Sequence, residues 1–153
     1  MRTILIAKAD LTATSQRVNL LAGAGYNVIT CPGPWPPDRC GRHTVGYCPL
    51  TEGADLMLYD PTLEGHDTNG QACTLAIDSG LAHPDVPLVL DADDASYPQA
   101  MLDAICAAVP SAEVAERETP ALLAQIQRLL DPGTPAPGSP GSYPPAAREK
   151  DRI

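Results

Sequence analysis

Short uninterrupted apolar runs alternate along the chain with stretches in which apolar residues recur every three or four positions. Residues 3–7 (TILIA), 26–30 (YNVIT), 54–59 (ADLMLY) and 86–90 (VPLVL) are strand-length, and 113–115 reads as a weak fifth strand. Continuous rather than alternating apolar character predicts strands covered on both faces. Between them lie helical patterns. Residues 12–24 carry Val18, Leu20, Leu21 and Ala24 at near-helical spacing, with Thr12 or Thr14 as the expected N-cap and Gly25 as the stop. Residues 70–81, 98–109 and 120–130 read as three more helices, the last (PALLAQIQRLL) opening on a proline at its first position. Strict alternation of strand and helix predicts an α/β fold, a doubly wound five-stranded parallel sheet. In such a sheet, functional groups gather at the carboxyl ends of the strands.

Composition adds two boundaries to this pattern. The chain has 153 residues and 17 prolines, more than twice the usual proportion of about 5%. Pro32, Pro34, Pro36 and Pro37 cluster after the second strand, and six more fall in 132–153 (PGTPAPGSPGSYPPAAREKDRI). That last stretch has no apolar periodicity, which predicts a disordered, polyproline-like tail behind a domain spanning 1–131. A formal net charge of −9 repels phosphate and argues against nucleic acid as a partner. No apolar run approaches the ~18 residues of a membrane span. Lys8 and Asp10 interrupt the first apolar run, which makes it a poor export signal. The expected location is therefore cytoplasmic, where cysteines are thiols or metal ligands before they are disulfides.

Three segments resemble response-regulator receiver domains: ILIAKADLTATSQRVNLLAGAGYNV, ADLMLYDPTLEGHDTNG and PDVPLVLDADD. The resemblance spans roughly residues 3–130 and implies the flavodoxin-like arrangement of five parallel strands. It places Asp60 at the position that accepts a phosphoryl group. The other receiver positions are altered. The resemblance calls for an acidic pair after the first strand to hold Mg²⁺, and Lys8 and Ala9 stand there, with Asp10 one step on. A hydroxyl residue expected after the fourth strand is replaced by Asp91 or Ala92. The lysine expected after the fifth falls near Glu116 and Arg117. Phosphoryl transfer to a carboxylate needs metal and fixed cations to neutralise the moving charge. This set predicts a degenerate receiver with a pocket of Lys8, Asp10 and Asp91 around Asp60. The Lys8 ammonium is expected either to pair with Asp60 in place of metal or to point to solvent. A rival use of the corner is a divalent-cation site made by Asp10, Asp60, Asp91, Asp93 and Asp94.

Where a receiver carries its second helix, this chain has CPGPWPPDRCGRHTVGYCPLTEG (31–53). Its prolines exclude a regular helix over the first half. Cys31, Cys40 and Cys48, with His43 between the last two, form a donor set that suits zinc of the Cys₃His type. The same three thiols suit an iron–sulfur cluster completed by Cys73, Cys106 or a non-cysteine group. A disulfide between two of them, or three inert thiols, are the plain alternatives. Cys73 and Cys106 sit among apolar neighbours and read as core thiols, and Trp35 reads as a packing anchor for the loop. His66 reads as a loop histidine near Asp60, either solvated or modulating the pocket, and His83 precedes Pro84 in a turn. No serine–histidine–acid arrangement, Walker loop or Gly-x-Gly-x-x-Gly motif follows a strand.

The expectation is a non-enzymatic, receiver-like regulatory or accessory domain. It carries a cysteine-held zinc or iron–sulfur centre and acts through protein partners. The alternatives are a phospho-accepting single-domain response regulator using Asp60, and a redox protein or electron carrier using the loop cysteines or a flavin.

Overall fold

The computed structural model describes residues 1–8, 10–31, 47–61, 74–92 and 99–132. The tail after 132, Trp35, Cys40, His43, His66, Cys73, Asp93 and Asp94 lie outside the described residues. The chain divides into two compact units, Met1–Ala115 and Glu116–Ile153.

The first unit holds β1 (Thr3–Ala7), α1 (Leu11–Gly23), β2 (Asn27–Cys31), α2 (Pro49–Glu52), β3 (Leu56–Tyr59), α3 (Thr74–Ala82), β4 (Leu88–Leu90), α4 (Gln99–Ala108) and β5 (Ala112–Val114). The strands form one sheet in the order β2-β1-β3-β4-β5, and each neighbouring pair is parallel. This is the doubly wound, receiver- and flavodoxin-like arrangement, in which strand order reverses beside β1. The three inner strands are buried almost end to end, from Ile4 to Ala7, Leu56 to Tyr59 and Leu88 to Leu90. Full burial on both faces is why their sequence is continuously apolar. The edge strand β2 keeps Asn27 and Thr30 exposed and the rest half-buried.

One face of the sheet contributes Leu5, Ala7, Met57, Tyr59, Leu88 and Leu90 to a core closed by Ala76, Leu102, Ile105 and Val109 from the following segments. Tyr59 and Ser79 share a buried hydrogen bond of 3.1 Å within that core, so the phenol is not left unsatisfied. Gly80 belongs to the same layer. A Cβ there would come within 2.6 Å of a Val109 methyl, so only glycine lets α3 approach this closely.

The register carries the fold to its site. Ala7 pairs with Cys31 on one side and Tyr59 on the other, and Tyr59 pairs with Leu90. The residues that follow these strands therefore stand side by side at the carboxyl edge. Backbone bonds continue past the strand ends there. Lys8 N–H donates to Cys31 C=O at 3.1 Å, Asp60 N–H to Ala7 C=O at 2.8 Å, and Asp91 N–H to Tyr59 C=O at 2.8 Å.

The second unit begins at Glu116 and contains α5 (Thr119–Leu130), with Pro120 in its first turn. Leu122, Ile126 and Leu130 fall at helical spacing along it, the amphipathic pattern expected of this segment. Gln125 turns back through its side-chain oxygen to accept the Glu116 N–H at 2.9 Å, fixing the approach to the helix.

Candidate functional site

Lys8, Asp60 and Asp91 are the residues directly after β1, β3 and β4, and parallel register sets them in a row along the carboxyl edge. The sequence left the Lys8 ammonium either paired with Asp60 or turned to solvent; the structure sets it against Asp91. Lys8 Nζ lies 3.5 Å from Asp91 Oδ2 and donates to the Asp91 main-chain carbonyl at 3.3 Å. The solvent-directed orientation is ruled out, because Lys8 is only 3% exposed.

A second cation meets the same carboxylate. Arg17 Nε donates to Asp91 Oδ2 at 2.9 Å, and Nη2 donates to Oδ1 at 3.0 Å. This is the two-pronged guanidinium–carboxylate geometry, stronger and more directional than a single contact. The Asp91 side chain is 2% exposed and Arg17 is 18% exposed, so the pair sits mostly out of water. A buried carboxylate is tolerable only with partners of opposite charge and good geometry. Asp91 has both, on each oxygen and on its carbonyl. One residue thereby ties β1, α1 and the end of β4 together.

Asp10 has a different task from the one expected. It is the N-cap of α1, and its Oδ1 accepts the Ala13 N–H at 2.9 Å. Thr12 and Thr14 were the expected caps. Thr14 instead turns its hydroxyl to the Asp10 carbonyl at 2.7 Å. Helix starts take the first side chain able to reach the free amides, and aspartate serves as well as threonine. Asp60 is half-buried, with Pro61 buried behind it.

Asp10, Asp60 and Asp91 do not converge on one point. Among the described residues, no group of three or more His, Cys, Asp or Glu could hold a metal ion. Cys48 and Cys106 are free thiols. Cys31 closes β2 at the carboxyl edge, while Cys48 is the N-cap of α2. Cys106 lies half-buried on α4. Burial pushes its thiol above the usual range, and the nearby Asp103 and Glu113 charges push the same way. No described helix is long and apolar enough to cross a membrane.

Two features escaped the sequence reading. Arg17 is the only charged residue in α1, and it lies four residues before Leu21, the helix's one buried residue. Helical spacing therefore puts Arg17 on the inward face, a signal visible in the sequence. The other is a contact across 32 residues between Thr51 and His83. No local pattern announces it.

No protein-family model and no curated protein matches the sequence. Solved structures do match. A CheY-like response-regulator receiver domain from Methanospirillum hungatei JF-1 is 17% identical. The match covers 86% of this chain and 95% of that one at a TM-score of 0.60. A candidate pilus assembly protein from Burkholderia thailandensis E264 is 24% identical over 84% of this chain and 98% of that one, with a TM-score of 0.57. A candidate pilus assembly-related protein from Burkholderia pseudomallei K96243 is 26% identical over 85% and 90%, with a TM-score of 0.56. The fold of this chain is thus that of response-regulator receiver domains.

Proposed function

We propose that the chain is a non-enzymatic, cytoplasmic, receiver-like regulatory or accessory domain that acts through protein partners and does not depend on phosphorylation. One observation carries the reading. A buried ammonium, Lys8, stands directly after β1 and is committed to Asp91, at the place where phosphoryl transfer to Asp60 needs acidic ligands for a metal. A fixed cation cannot bridge a phosphoryl donor and an acceptor as a multiply coordinated metal does. Arg17 and Lys8 are both occupied in holding Asp91, so the corner is built to stay in one arrangement. Two of the similar chains are described with pilus assembly rather than phosphorelay, which supports an accessory role for this fold here.

Acetyl phosphate with Mg²⁺, followed by intact mass, tests the reading. The expected spectrum shows no adduct of about 80 Da, the mass of one phosphoryl group. A stoichiometric adduct that disappears in Asp60→Asn would establish the phospho-accepting alternative instead.

A second reading concerns residues 31–53 and is favoured by the sequence itself, which gathers Cys31, Cys40 and Cys48 within 18 residues. Together with His43 they provide the donors of a zinc or iron–sulfur centre, and partner contacts would then follow metal or redox state. Metal analysis and a visible spectrum on anaerobically purified protein are expected to show about one zinc, or iron with sulfide absorption. The signal should be lost when Cys31, Cys40 and Cys48 are all replaced by alanine. Metal-free, colourless protein removes this reading and leaves the first intact.

A further inference from the structure

α2 has four residues, and a single helical turn does not sustain itself, since nucleation costs more than one turn returns. Its N-cap, Cys48, offers no side-chain cap. Its hold comes from elsewhere. The Thr51 hydroxyl donates to the Cys48 carbonyl at 2.8 Å, and the Glu52 N–H donates to the same carbonyl at 3.3 Å. Thr51 Oγ1 also lies 3.0 Å from His83 Nε2. A hydroxyl has one proton, and Thr51 has already given its proton to Cys48, so here its oxygen accepts. That assigns the His83 tautomer: Nε2 carries the proton and donates it. Glu52 Oε2 stands 3.9 Å from the same nitrogen, on the more exposed side. His83 is itself fixed at both backbone ends, donating to Ser79 C=O at 3.2 Å and accepting from Val86 N–H at 3.0 Å.

We infer that His83 is the positioning residue of Cys48: it donates to a buried Thr51 whose hydroxyl clamps the Cys48 carbonyl. The end of α3 thereby sets the point at which the cysteine-bearing segment returns to the sheet. The inference goes beyond the functional readings above and holds whether or not the segment takes a metal. If it does, Cys48 is presented from a backbone already fixed, which is how outer contacts orient ligands.

The test is pulse alkylation with iodoacetamide of the full-length protein in EDTA, read at each cysteine by peptide mass. Metal is stripped in this experiment, so its outcome is independent of the metal reading. His83→Leu removes the donor and is expected to raise the Cys48 rate about five- to tenfold, the opening expected from one lost hydrogen bond. Cys106 in the same molecule should keep its rate. His83→Gln restores an N–H and should return Cys48 to within about twofold of the parent. An unchanged Cys48 rate in His83→Leu, an equal rise at Cys106, or failure of glutamine to rescue would each overturn the assignment. Should His83→Leu not fold, Thr51→Val against Thr51→Ser asks the same question, with valine expected to release Cys48 and serine to retain it.

Discussion

Replacing Asp91 with asparagine is expected to lower unfolding stability by about 3–5 kcal/mol, the cost of leaving buried charge without its counter-ion. The substitution keeps size and shape, so the loss is electrostatic. The Lys8 ammonium, 3% exposed, would face a neutral amide, and the Arg17 fork would keep one neutral acceptor and meet an NH₂ group in place of the other. A domain of this length has a total stability of only about 5–15 kcal/mol, so the urea midpoint should fall by about a fifth or more. Lys8→Met and Arg17→Met are expected to cost less, about 1–2 kcal/mol each, because either one leaves Asp91 a remaining cation. The triple replacement Lys8→Met, Arg17→Met, Asp91→Leu should recover most of the loss, since buried ion clusters are often matched by well-packed apolar groups. Loss of less than about 1 kcal/mol in Asp91→Asn would mean that the cluster is open to water and does not lock the corner.

The cluster also marks where sequence reasoning succeeded and where it stopped. All five strands were legible because β1, β3 and β4 are covered on both faces, so every residue from Leu56 to Tyr59 had to be apolar. Ends were less legible. Pro87 cannot donate to a ladder, and β4 begins at Leu88 rather than Val86. β2 runs one residue further, to Cys31, because the register with Ala7 carries it there. The row of strand-end residues was also readable, since parallel strands bring successive carboxyl ends to one edge. What the strands do not determine is which cation reaches which carboxylate. Lys8 has a long stem and could meet either neighbour. In the structure Lys8 meets Asp91, and Arg17 from α1 holds the same carboxylate. A contact brought in by a helix packed on the sheet leaves no record in the local pattern of the strands. Thr51 and His83 are a plainer case. A threonine before a strand and a histidine in a turn look like surface residues until the fold joins them.

Lys8→Asp is expected to turn a metal-indifferent corner into one that needs a divalent cation. In the parent, Lys8 and Arg17 both pair with Asp91, while Asp60 follows the neighbouring strand β3. The substitution leaves Arg17 alone against three carboxylates that follow β1, β3 and β4. Without added cation, their mutual repulsion and lost hydration should destabilise the fold by about 3–5 kcal/mol. Mg²⁺ prefers hard oxygen ligands and needs only one or two carboxylates besides water. Binding to the folded state alone adds stability by mass action, about 2.7 kcal/mol when the ion is at a hundredfold its dissociation constant. Urea unfolding in EDTA and in millimolar MgCl₂, at matched ionic strength, should therefore separate the two proteins. The parent midpoint is expected to stay put, because its cation is covalently part of the chain. The variant should regain at least about 2 kcal/mol with Mg²⁺, and a further Asp60→Asn change should abolish most of that gain. If Lys8→Asp responds to Mg²⁺ no more than to an equal ionic strength of NaCl, the Lys8 ammonium is not standing in for a metal, and its burial serves packing alone.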